Sequence, residues 1–309
     1  MRIVIALGGN ALLRRGEPLE AELQQRNIEV AAQAIAPLAG EHELVITHGN
    51  GPQVGLLALQ SAAYKDVKQY PLDVLGAESE GMIGYMLEQA FANELEQRDV
   101  ATLLTRIEVD EDDLAFDHPT KPIGPVYEES VARELAVQRG WSVEPDGDGF
   151  RRVVPSPRPR RIVEINTIRT LVNAGVLVVC AGGGGIPVIR VPSGDIVGIE
   201  AVIDKDHAAG LLARQLKADA FVMLTDVDAV YTDWNTPEQR AIASASPDEL
   251  RRLELPAGSM GPKVAAACEF VEGGGSFGAI GRLDDAAGLV DGTAGTRVER
   301  SGEGLRYRS

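Results

Sequence analysis

The chain has 309 residues, of which 44% are hydrophobic and 25% are charged, and its formal net charge at pH 7 is −16. This length can hold one large α/β domain or two smaller ones with a sizeable core. The negative charge argues against nucleic acid or an anionic membrane as a partner, because both are themselves polyanions.

Short apolar runs of strand length alternate with helical patterns along the chain. The runs are rich in Val, Ile, Leu and Ala, which is typical of strands covered on both faces. They lie at residues 2–7, 44–48, 100–107, 176–181, 220–226 and 276–280. Helices are predicted at 19–36, 74–97, 165–172 and 262–271, with Gly175 as the C-terminal cap of the third. The alternation predicts a three-layer α/β/α sandwich around an open, mainly parallel sheet.

The sequence also bears on the cellular location. No apolar run approaches the roughly 20 residues needed to span a bilayer. The N-terminal segment MRIVIALGGN is interrupted by glycines and has no cleavage pattern, so it predicts a first strand rather than a signal peptide. Cys180 and Cys268 lack a paired spacing and are typical of reduced, buried thiols. We therefore expect a cytoplasmic protein.

The alternation breaks between about residues 110 and 161. A continuous helix is excluded there by Pro119, Pro122, Pro125, Pro155, Pro157 and Pro159. Loops of this length without a function are uncommon in compact domains. We therefore predict a protruding lid subdomain, inserted into a single domain that spans residues 1–309. Residues 231–256 are a second irregular stretch, with a short helix of its own, that we expect to border a ligand.

Glycine-rich turns recur at 8–10, 48–55, 182–185 and 258–261. In open α/β sheets, ligands bind beyond the carboxyl ends of the strands, and glycine there lets backbone N–H groups approach an anion. Neither G-x-x-x-x-G-K-[ST] nor a G-x-G-x-x-G after the first strand is present. The turns therefore predict an anion site that is neither a Walker loop nor a dinucleotide fingerprint.

Lysine is scarce, with six residues among the 30 lysines and arginines. Three of the six stand beside glycine, proline or helix-start features, namely Lys121 in PTKPIGP, Lys205 in IDKD and Lys263 in GSMGPK. A compact ammonium on a flexible stem can follow a moving phosphoryl group better than a rigid guanidinium can. These lysines indicate phosphoryl transfer, with chance clustering as the alternative.

Asp204, Lys205 and Asp206 stand where an apolar run turns into a helix. An aspartate can cap a helix there, whereas a lysine at the positive end of a helix dipole is unfavourable unless an anion binds there. We therefore expect Lys205 to neutralise a transferring phosphoryl group and Asp206 to hold catalytic ammonium groups in place. Lys263, in the first turn after Gly261 and Pro262, has the same rationale.

The segments ALGGNAL, THGNGPQVG, PTKPIGP, VVPSP, AGGGGIPV, EAVIDKDHAA, LTDVDAVY and GSMGPKV occur in this order. Together they closely resemble the carbamate kinases of the amino acid kinase superfamily, over residues 3–296. The resemblance implies a homodimeric sandwich around a mainly parallel sheet of about eight strands, with a protruding subdomain over the active site. It also implies the reaction ATP + carbamate ⇌ ADP + carbamoyl phosphate, with Mg²⁺ held mainly by the nucleotide phosphates. Such enzymes typically make ATP at the end of arginine fermentation.

The resemblance also implies a role for each matching residue. Lys121 would reach the phosphoryl group or carbamate, Lys205 and Lys263 would follow the transferred group, and Asp206 would organise the lysines. The carbamate and phosphoryl cradle would comprise Gly8, Gly9, Asn10, Gly49, Asn50, Gly51, Gly182, Gly183 and Gly184. Nucleotide contacts would come from Lys205, Thr225, Asp226, Tyr231, Met260 and Lys263.

Two features bear on how far the resemblance extends. Most superfamily members carry a lysine two positions before the first Gly-Gly, where this chain has Ala6. Carbamate kinases supply that lysine from the lid, and Lys121 matches this. In the lid itself, the acidic stretch after Tyr127 departs from the family pattern. The four histidines show no clustering typical of metal ligands.

Two alternatives to a carbamate kinase stay open. One is a related kinase whose acceptor is another small carboxylate or carbamate-like molecule. The cradle has no evident arginine to bind a second carboxylate, which argues against this alternative. The other is a non-catalytic sensor of nucleotide or carbamoyl phosphate. The joint presence of Lys121, Lys205, Asp206 and Lys263 argues against a sensor.

Overall fold

The computed structural model describes residues 1–309 except 15, 67, 257–259, 301–303 and 309, and leaves out the side chain of Asn10. Part of the glycine turn predicted at 258–261 therefore lies outside the described residues. The described strands are β1 (Arg2–Leu7), β2 (Glu43–His48), β3 (Val100–Leu103), β4 (Arg106–Glu108), β5 (Lys121–Tyr127), β6 (Ser142–Asp146), β7 (Gly149–Val154), β8 (Arg161–Ile162), β9 (Leu177–Cys180), β10 (Ile186–Arg190), β11 (Ile196–Gly198), β12 (Ala220–Thr225), β13 (Tyr231–Thr232), β14 (Arg240–Ala245), β15 (Phe277–Arg282), β16 (Thr296–Val298) and β17 (Arg306–Tyr307).

The α-helices include the four expected from the sequence, at slightly different bounds. They are α1 (Gly9–Leu12), α2 (Ala21–Ile35), α3 (Gly51–Ala63), α4 (Leu72–Glu94), α5 (Glu129–Arg139), α6 (Ile165–Asn173), α7 (Lys205–Leu216), α8 (Pro247–Leu250), α9 (Met260–Glu272) and α10 (Ala286–Asp291). The end of α6 shows how the local sequence sets these bounds. Gly175 has a φ of 87°, and the N–H of Val176 donates to Leu171 O at 3.1 Å. This is a Schellman cap, so the cap predicted at Gly175 is confirmed.

Ten of the described strands form the central sheet, in the order β13–β14–β16–β15–β12–β1–β2–β9–β3, with β17 paired to β14. The run from β15 to β3 is parallel throughout. The antiparallel pairs involve β13, β16 and β17. Eight of the ten strands have three or more residues. The predicted sheet, mainly parallel and of about eight strands, is therefore confirmed.

Both faces of this sheet are buried, because alternate strand residues enter two different cores. In β1, Val4 and Ala6 pack with residues of α6, α7 and α9. Ile3, Ile5 and Leu7 pack on the opposite face with residues of α2, α4 and α10. Each of these five residues is buried. The result is the three-layer sandwich expected from near-continuous apolar strands.

The prediction of one strand over residues 100–107 is wrong. β3 belongs to the central sheet, whereas β4 belongs to a separate four-stranded sheet with β11, β10 and β8. The chain turns between them at Thr105, whose N–H donates to Glu80 Oε2 at 3.2 Å. Thr105 Oγ1 accepts the N–H of Ala181 at 2.9 Å. These long-range bonds divert the backbone, and no local pattern encodes them.

A three-stranded antiparallel sheet, β5–β7–β6, lies within the stretch predicted to be a lid. It rests on α3, and a small core joins Ile123 and Val154 of the sheet to Val54 of α3 and to Leu72 and Leu75 of α4. A Cβ at Gly55 would lie 2.5 Å from Gly124 Cα, so α3 and β5 approach each other more closely than a side chain at Gly55 would allow. This contact anchors β5, which begins at Lys121. The division of the chain into one domain with an inserted lid stays a prediction.

The carboxyl ends of neighbouring parallel strands meet at one edge of the central sheet. The turns predicted at 8–10, 48–55 and 182–185 follow β1, β2 and β9 there, which is where open α/β sheets bind ligands. None of the described helices is both long and apolar enough to cross a lipid bilayer.

Candidate active site

A cleft of about 1330 Å³ opens at this edge of the sheet. Its walls come from the turn after β1, the first turns of α7 and α9, the start of β5, the segment around β13, and β17. The predicted site residues that line it are Gly8, Gly9, Lys121, Lys205, Asp206, Thr225, Asp226, Tyr231, Met260 and Lys263. The three lysines singled out from the sequence therefore share one cavity.

Two aspartates at the start of α7 each form an ion pair with one of these lysines. Asp204 caps the helix, because its Oδ1 accepts the N–H groups of Asp206 at 2.9 Å and His207 at 3.3 Å. Its other carboxylate oxygen lies 2.7 Å from Lys121 Nζ. Lys263 Nζ donates to Asp206 Oδ2 at 3.0 Å, and both residues of this second pair are buried. A lysine from β5 and a lysine from α9 thus converge on one helix start.

The electrostatics of these groups follow from burial and mutual proximity. Burial alone would raise the pKa of Asp204, but the ammonium of Lys121 and the hydrogen bonds that Asp204 accepts hold that pKa well below its usual range. Burial lowers the pKa of Lys205 to about 8, Asp206 opposes the shift, and the like charge of Lys263 adds to it. Burial and the neighbouring ammonium groups thus disfavour the charged form of Lys205, and a bound anion would stabilise that form.

The turn after β1 and the turn after β2 lie against each other beside Lys205. A Cβ at Gly8 would lie 2.7 Å from Leu224 O, so the turn packs directly on β12. A Cβ at Gly49 would lie 3.4 Å from Lys205 Cδ and 3.5 Å from Gly9 N. Asn50 is the N-terminal cap residue of α3, and Gly51 begins that helix. Gly49 therefore borders both the cleft lysine and the first glycine turn.

The turn after β9 is buried and left-handed along most of its length. Ala181, Gly183, Gly184 and Gly185 have φ values of 53°, 67°, 101° and 78°. A Cβ at Gly183 would lie 2.1 Å from Asn50 Nδ2, and one at Gly184 would lie 2.1 Å from Ile203 O. The turn therefore fits between the end of β2 and the residue before Asp204, and only glycine can make these approaches. It adjoins the cleft without lining it.

Aromatic and apolar side chains line another part of the cleft. The rings of Tyr231 and Trp234 lie 5.1 Å apart, and Leu255, Met260 and Tyr307 line the same cleft. The Tyr231 hydroxyl donates to Asp228 Oδ1 at 2.9 Å. Thr225 Oγ1 donates to Asp226 Oδ1 at 3.1 Å. This wall can accept a flat apolar group, such as a nucleobase, beside the cationic part of the cleft.

Several residues around the site were not assigned these contacts from the sequence. The sequence predicts Asp204 as a cap but not as the partner of Lys121. Glu80 and Ser79 of α4 are buried beneath the cradle, where Glu80 Oε1 accepts the N–H of Gly182 at 2.9 Å. Ser79 Oγ accepts from Asn50 Nδ2 at 2.7 Å. Asp204 is identifiable from the sequence because it stands next to Lys205. Nothing in the sequence singles out Ser79 and Glu80.

The donor groups of the described residues determine how the cleft could hold Mg²⁺. The described residues contain no group of three or more His, Cys, Asp or Glu placed to hold a metal ion. Mg²⁺ does not require such a cage, because it keeps several waters and is usually bound by one or two carboxylates together with substrate phosphates. The residues therefore fit a Mg²⁺ ion carried mainly by a bound nucleotide.

Comparison with known proteins agrees with this geometry. The model of the amino acid kinase family matches residues 1–277. The carbamate kinase of Rhizobium meliloti is 55% identical over 304 residues, which cover 97% of this chain and 94% of that protein. That of Haemophilus influenzae is 54% identical over 308 residues, which cover 99% of each chain.

Solved structures show the same relationship. The carbamate kinase from Giardia lamblia bound to AMP-PNP is 42% identical and superposes with a TM-score of 0.90, over 97% of this chain and 98% of that chain. The identity, the coverage and the shared fold lead to one conclusion. The chain belongs to the amino acid kinase family and, within that family, to the carbamate kinases, which are phosphotransferases.

Proposed function

We propose that the cleft transfers a phosphoryl group reversibly between a nucleotide and carbamate, following ATP + carbamate ⇌ ADP + carbamoyl phosphate. The observation that carries this proposal is the convergence of Lys121, Lys205 and Lys263 on one cavity of a chain whose net charge is −16. Positioning and charge neutralisation are the main demands of phosphoryl transfer, and clustered ammonium groups with nearby backbone N–H groups meet both.

The transfer would run in line, without a phosphorylated protein side chain. In the direction of ATP formation, a β-phosphate oxygen of ADP attacks the phosphorus of carbamoyl phosphate. The bond from phosphorus to the carbamate oxygen breaks, and its electron pair stays on carbamate. Lys205 and Lys263 would neutralise the charge of the phosphoryl group as it moves. Lys121 would bind the side of the phosphoryl group that faces carbamate. Asp204 and Asp206 would orient Lys121 and Lys263 through their ion pairs.

The nucleotide would lie along the wall formed by Thr225, Asp226, Tyr231 and Met260, with its phosphates toward Lys205 and Lys263. The AMP-PNP named for the Giardia lamblia carbamate kinase supports a nucleotide substrate. When bound with the phosphates, Mg²⁺ would neutralise part of their charge. The residues of this chain would contribute the lysines and the glycine turns, and the glycines would admit the phosphoryl group close to the backbone.

The acceptor would be small, because the cradle is built from Gly8, Gly9, Gly49 to Gly51 and Gly182 to Gly184. The arginine among the described lining residues is Arg252. Its guanidinium donates to Glu249 at 3.2 Å and is largely exposed. It is therefore paired outside the cradle, which supports an acceptor with a single acidic group.

The deciding experiment is a coupled assay of ATP formation from ADP and carbamoyl phosphate, repeated in the opposite direction with ATP and carbamate. Acetyl phosphate serves as the alternative donor. We expect turnover with carbamoyl phosphate and a much lower rate with acetyl phosphate. Faster turnover with acetyl phosphate would indicate a kinase of another acceptor. Folded protein that binds ADP without turnover would indicate a sensor.

Assembly and location stay predictions that rest on the resemblance to the family and on the sequence. The expected homodimer can be tested by size-exclusion chromatography with light scattering. The expected cytoplasmic location can be tested by fractionating the cells that produce the protein.

A further inference from the structure

A buried carboxyl group on α4 holds the glycine turn of the cradle. Glu80 is 1% exposed, and its Oε1 accepts the N–H of Gly182 at 2.9 Å. Its Oε2 accepts the N–H of Thr105 at 3.2 Å. Thr105 in turn accepts the N–H of Ala181 at 2.9 Å through Oγ1. Two successive amides of the turn, those of Ala181 and Gly182, are therefore fixed directly or indirectly by one side chain.

The neighbouring residue of α4 holds the other side of the cradle. Ser79 Oγ accepts from Asn50 Nδ2 at 2.7 Å and donates to Gly76 O at 2.8 Å. The Asn50 amide packs against Gly183, where a Cβ would lie 2.1 Å from Asn50 Nδ2. Ser79 and Glu80 thus contact both the turn after β2 and the turn after β9. Both are buried, so water does not compete for these bonds.

The turn depends on such external support because its own bonds are few. Inside it, Gly184 N donates to Ala181 O at 3.3 Å and Gly185 N donates to Gly182 O at 2.9 Å. Neither bond uses the N–H of Gly183, for which the described part of the chain offers no acceptor. A buried backbone N–H without a partner is rare and indicates a place for a ligand or water. A Cβ at Gly182 would lie 2.2 Å from His48 Nε2 and 3.0 Å from Glu80 Cγ, so Gly182 is clamped between these side chains.

We propose that Ser79 and Glu80 are positioning residues of the cradle, which fix Asn50 and Gly182 so that the N–H of Gly183 is free to bind the phosphoryl or carbamate oxygens of carbamoyl phosphate. This inference rests on the proposed function, because it assumes that the cradle binds the acceptor side of the substrate. Neither residue touches the substrate in this arrangement. Both act through the backbone and side chain that they hold.

The same helix offers a matched control. Glu88 lies two turns further along α4, and its Oε2 accepts the N–H of Thr102 at 2.8 Å. It therefore makes the same kind of carboxyl-to-backbone bond to β3, away from the glycine turn. A pair of variants, Glu80→Met and Glu88→Met, removes one carboxyl group each and keeps a side chain of similar length.

The test compares steady-state kinetics of the wild type and both variants in the direction of ATP formation. Displacing a reacting group by about 1 Å costs up to about 100-fold in rate. We therefore expect Glu80→Met to lower kcat/KM for carbamoyl phosphate by roughly 10- to 100-fold. The KM for ADP should change by less than about threefold. Glu88→Met should leave both parameters near those of the wild type.

Two milder variants keep the proposal testable if Glu80→Met does not fold. Glu80→Gln keeps one acceptor oxygen, so its kcat/KM for carbamoyl phosphate should lie between those of wild type and Glu80→Met. Ser79→Ala removes a single hydroxyl and should raise the KM for carbamoyl phosphate several-fold, on the order of one lost hydrogen bond. Wild-type kinetics in folded Glu80→Gln and Ser79→Ala would overturn the proposal. Equal losses for ADP and carbamoyl phosphate would also overturn it, because they would indicate a general structural effect.

Amide hydrogen exchange separates this inference from the proposed function. Peptides covering residues 181–185 should exchange faster in Glu80→Gln than in the wild type, and at the wild-type rate in Glu88→Met. If the wild type fails to make ATP, the proposed function is wrong, while exchange still reports whether Glu80 holds the turn. If the wild type is active and exchange in the turn is unchanged in Glu80→Gln, the positioning role is wrong and the proposed function stands.

Discussion

The ammonium of Lys121 lies 2.7 Å from Oδ2 of Asp204, the residue that caps α7. Lys121 begins β5 of the small sheet, whereas Asp204 precedes the helix that carries Lys205 and Asp206. One ion pair therefore links the small sheet to the electropositive part of the cleft. The side chain of Lys121 remains about one-third exposed, so an incoming phosphate can reach it.

The first prediction concerns the division of labour among the lysines. Lys121→Met should lower kcat by about 100-fold, the usual cost of losing one charged donor to a transition state. ADP affinity, measured by calorimetry, should stay within about threefold, because the nucleotide phosphates are expected to bind Lys205 and Lys263. Lys65→Met, at an exposed position, is the control for a lost lysine. Loss of ADP binding in Lys121→Met would show that Lys121 serves the nucleotide instead.

The second prediction concerns the buried pair of Asp206 and Lys263. Breaking a buried ion pair leaves one charge uncompensated and costs on the order of 3–5 kcal/mol. Asp206→Asn should therefore destabilise the protein by several kcal/mol on that scale. The double variant Asp206→Asn/Lys263→Met should be less destabilised than the sum of the single variants. Urea unfolding of the four proteins measures this coupling, and simple additivity would show that the pair contributes little.

The third prediction tests why lysine rather than arginine occupies position 205. Lys205→Arg keeps the positive charge, but its planar guanidinium cannot follow the phosphoryl group as a flexible ammonium can. Turnover should fall by at least about 10-fold while the fold is retained. Lys68→Arg, at an exposed position, should leave turnover unchanged. Activity near the wild-type value in Lys205→Arg would mean that Lys205 binds the phosphates without moving with them.

The parts of the structure that could be predicted from the sequence are those with local signals. The apolar runs of β1, β2, β9 and β12 and the cap at Gly175 depend on neighbouring residues, so their patterns are visible in the chain. The three lysines were found because each stands beside a glycine, a proline or a helix start. Even there, the sequence alone could not show that Asp204 pairs with Lys121, which lies 83 residues away.

The parts that could not be predicted depend on long-range contacts. Glu80 binds amides that lie 25 and 102 residues away, and nothing around it distinguishes it from Glu78 or Glu88 on the same helix. The break at Thr105 follows from the same contacts. β14 has the unremarkable sequence RAIASA and becomes a strand by pairing with β13, β16 and β17. Tertiary pairing overrides weak local propensity in such segments.

The last prediction concerns the pH dependence of stability. Burial raises the pKa of Glu80 to about 8, although the N–H groups of Thr105 and Gly182 oppose the shift. In the unfolded chain the pKa returns to about 4.5. Between these two values the folded protein binds a proton that the unfolded chain does not, so the free energy of unfolding contributed by Glu80 decreases as the pH rises. This contribution is fully present below pH 4.5 and is lost as the pH approaches and passes 8.

Glu80→Gln removes this proton, so the difference in unfolding free energy between wild type and Glu80→Gln should shrink or change sign from pH 5 to pH 8. Urea unfolding at one-unit intervals of pH measures it. Glu80→Gln also loses a hydrogen bond, which changes the unfolding free energy by an amount that is independent of pH. Buried His48 titrates in both proteins, so its contribution cancels in the difference. Glu88→Gln gives the baseline for a carboxyl group lost elsewhere on α4. A difference that is flat or grows with pH would show that Glu80 is ionised in the folded protein, because only a group that is neutral when buried favours folding at the lower pH.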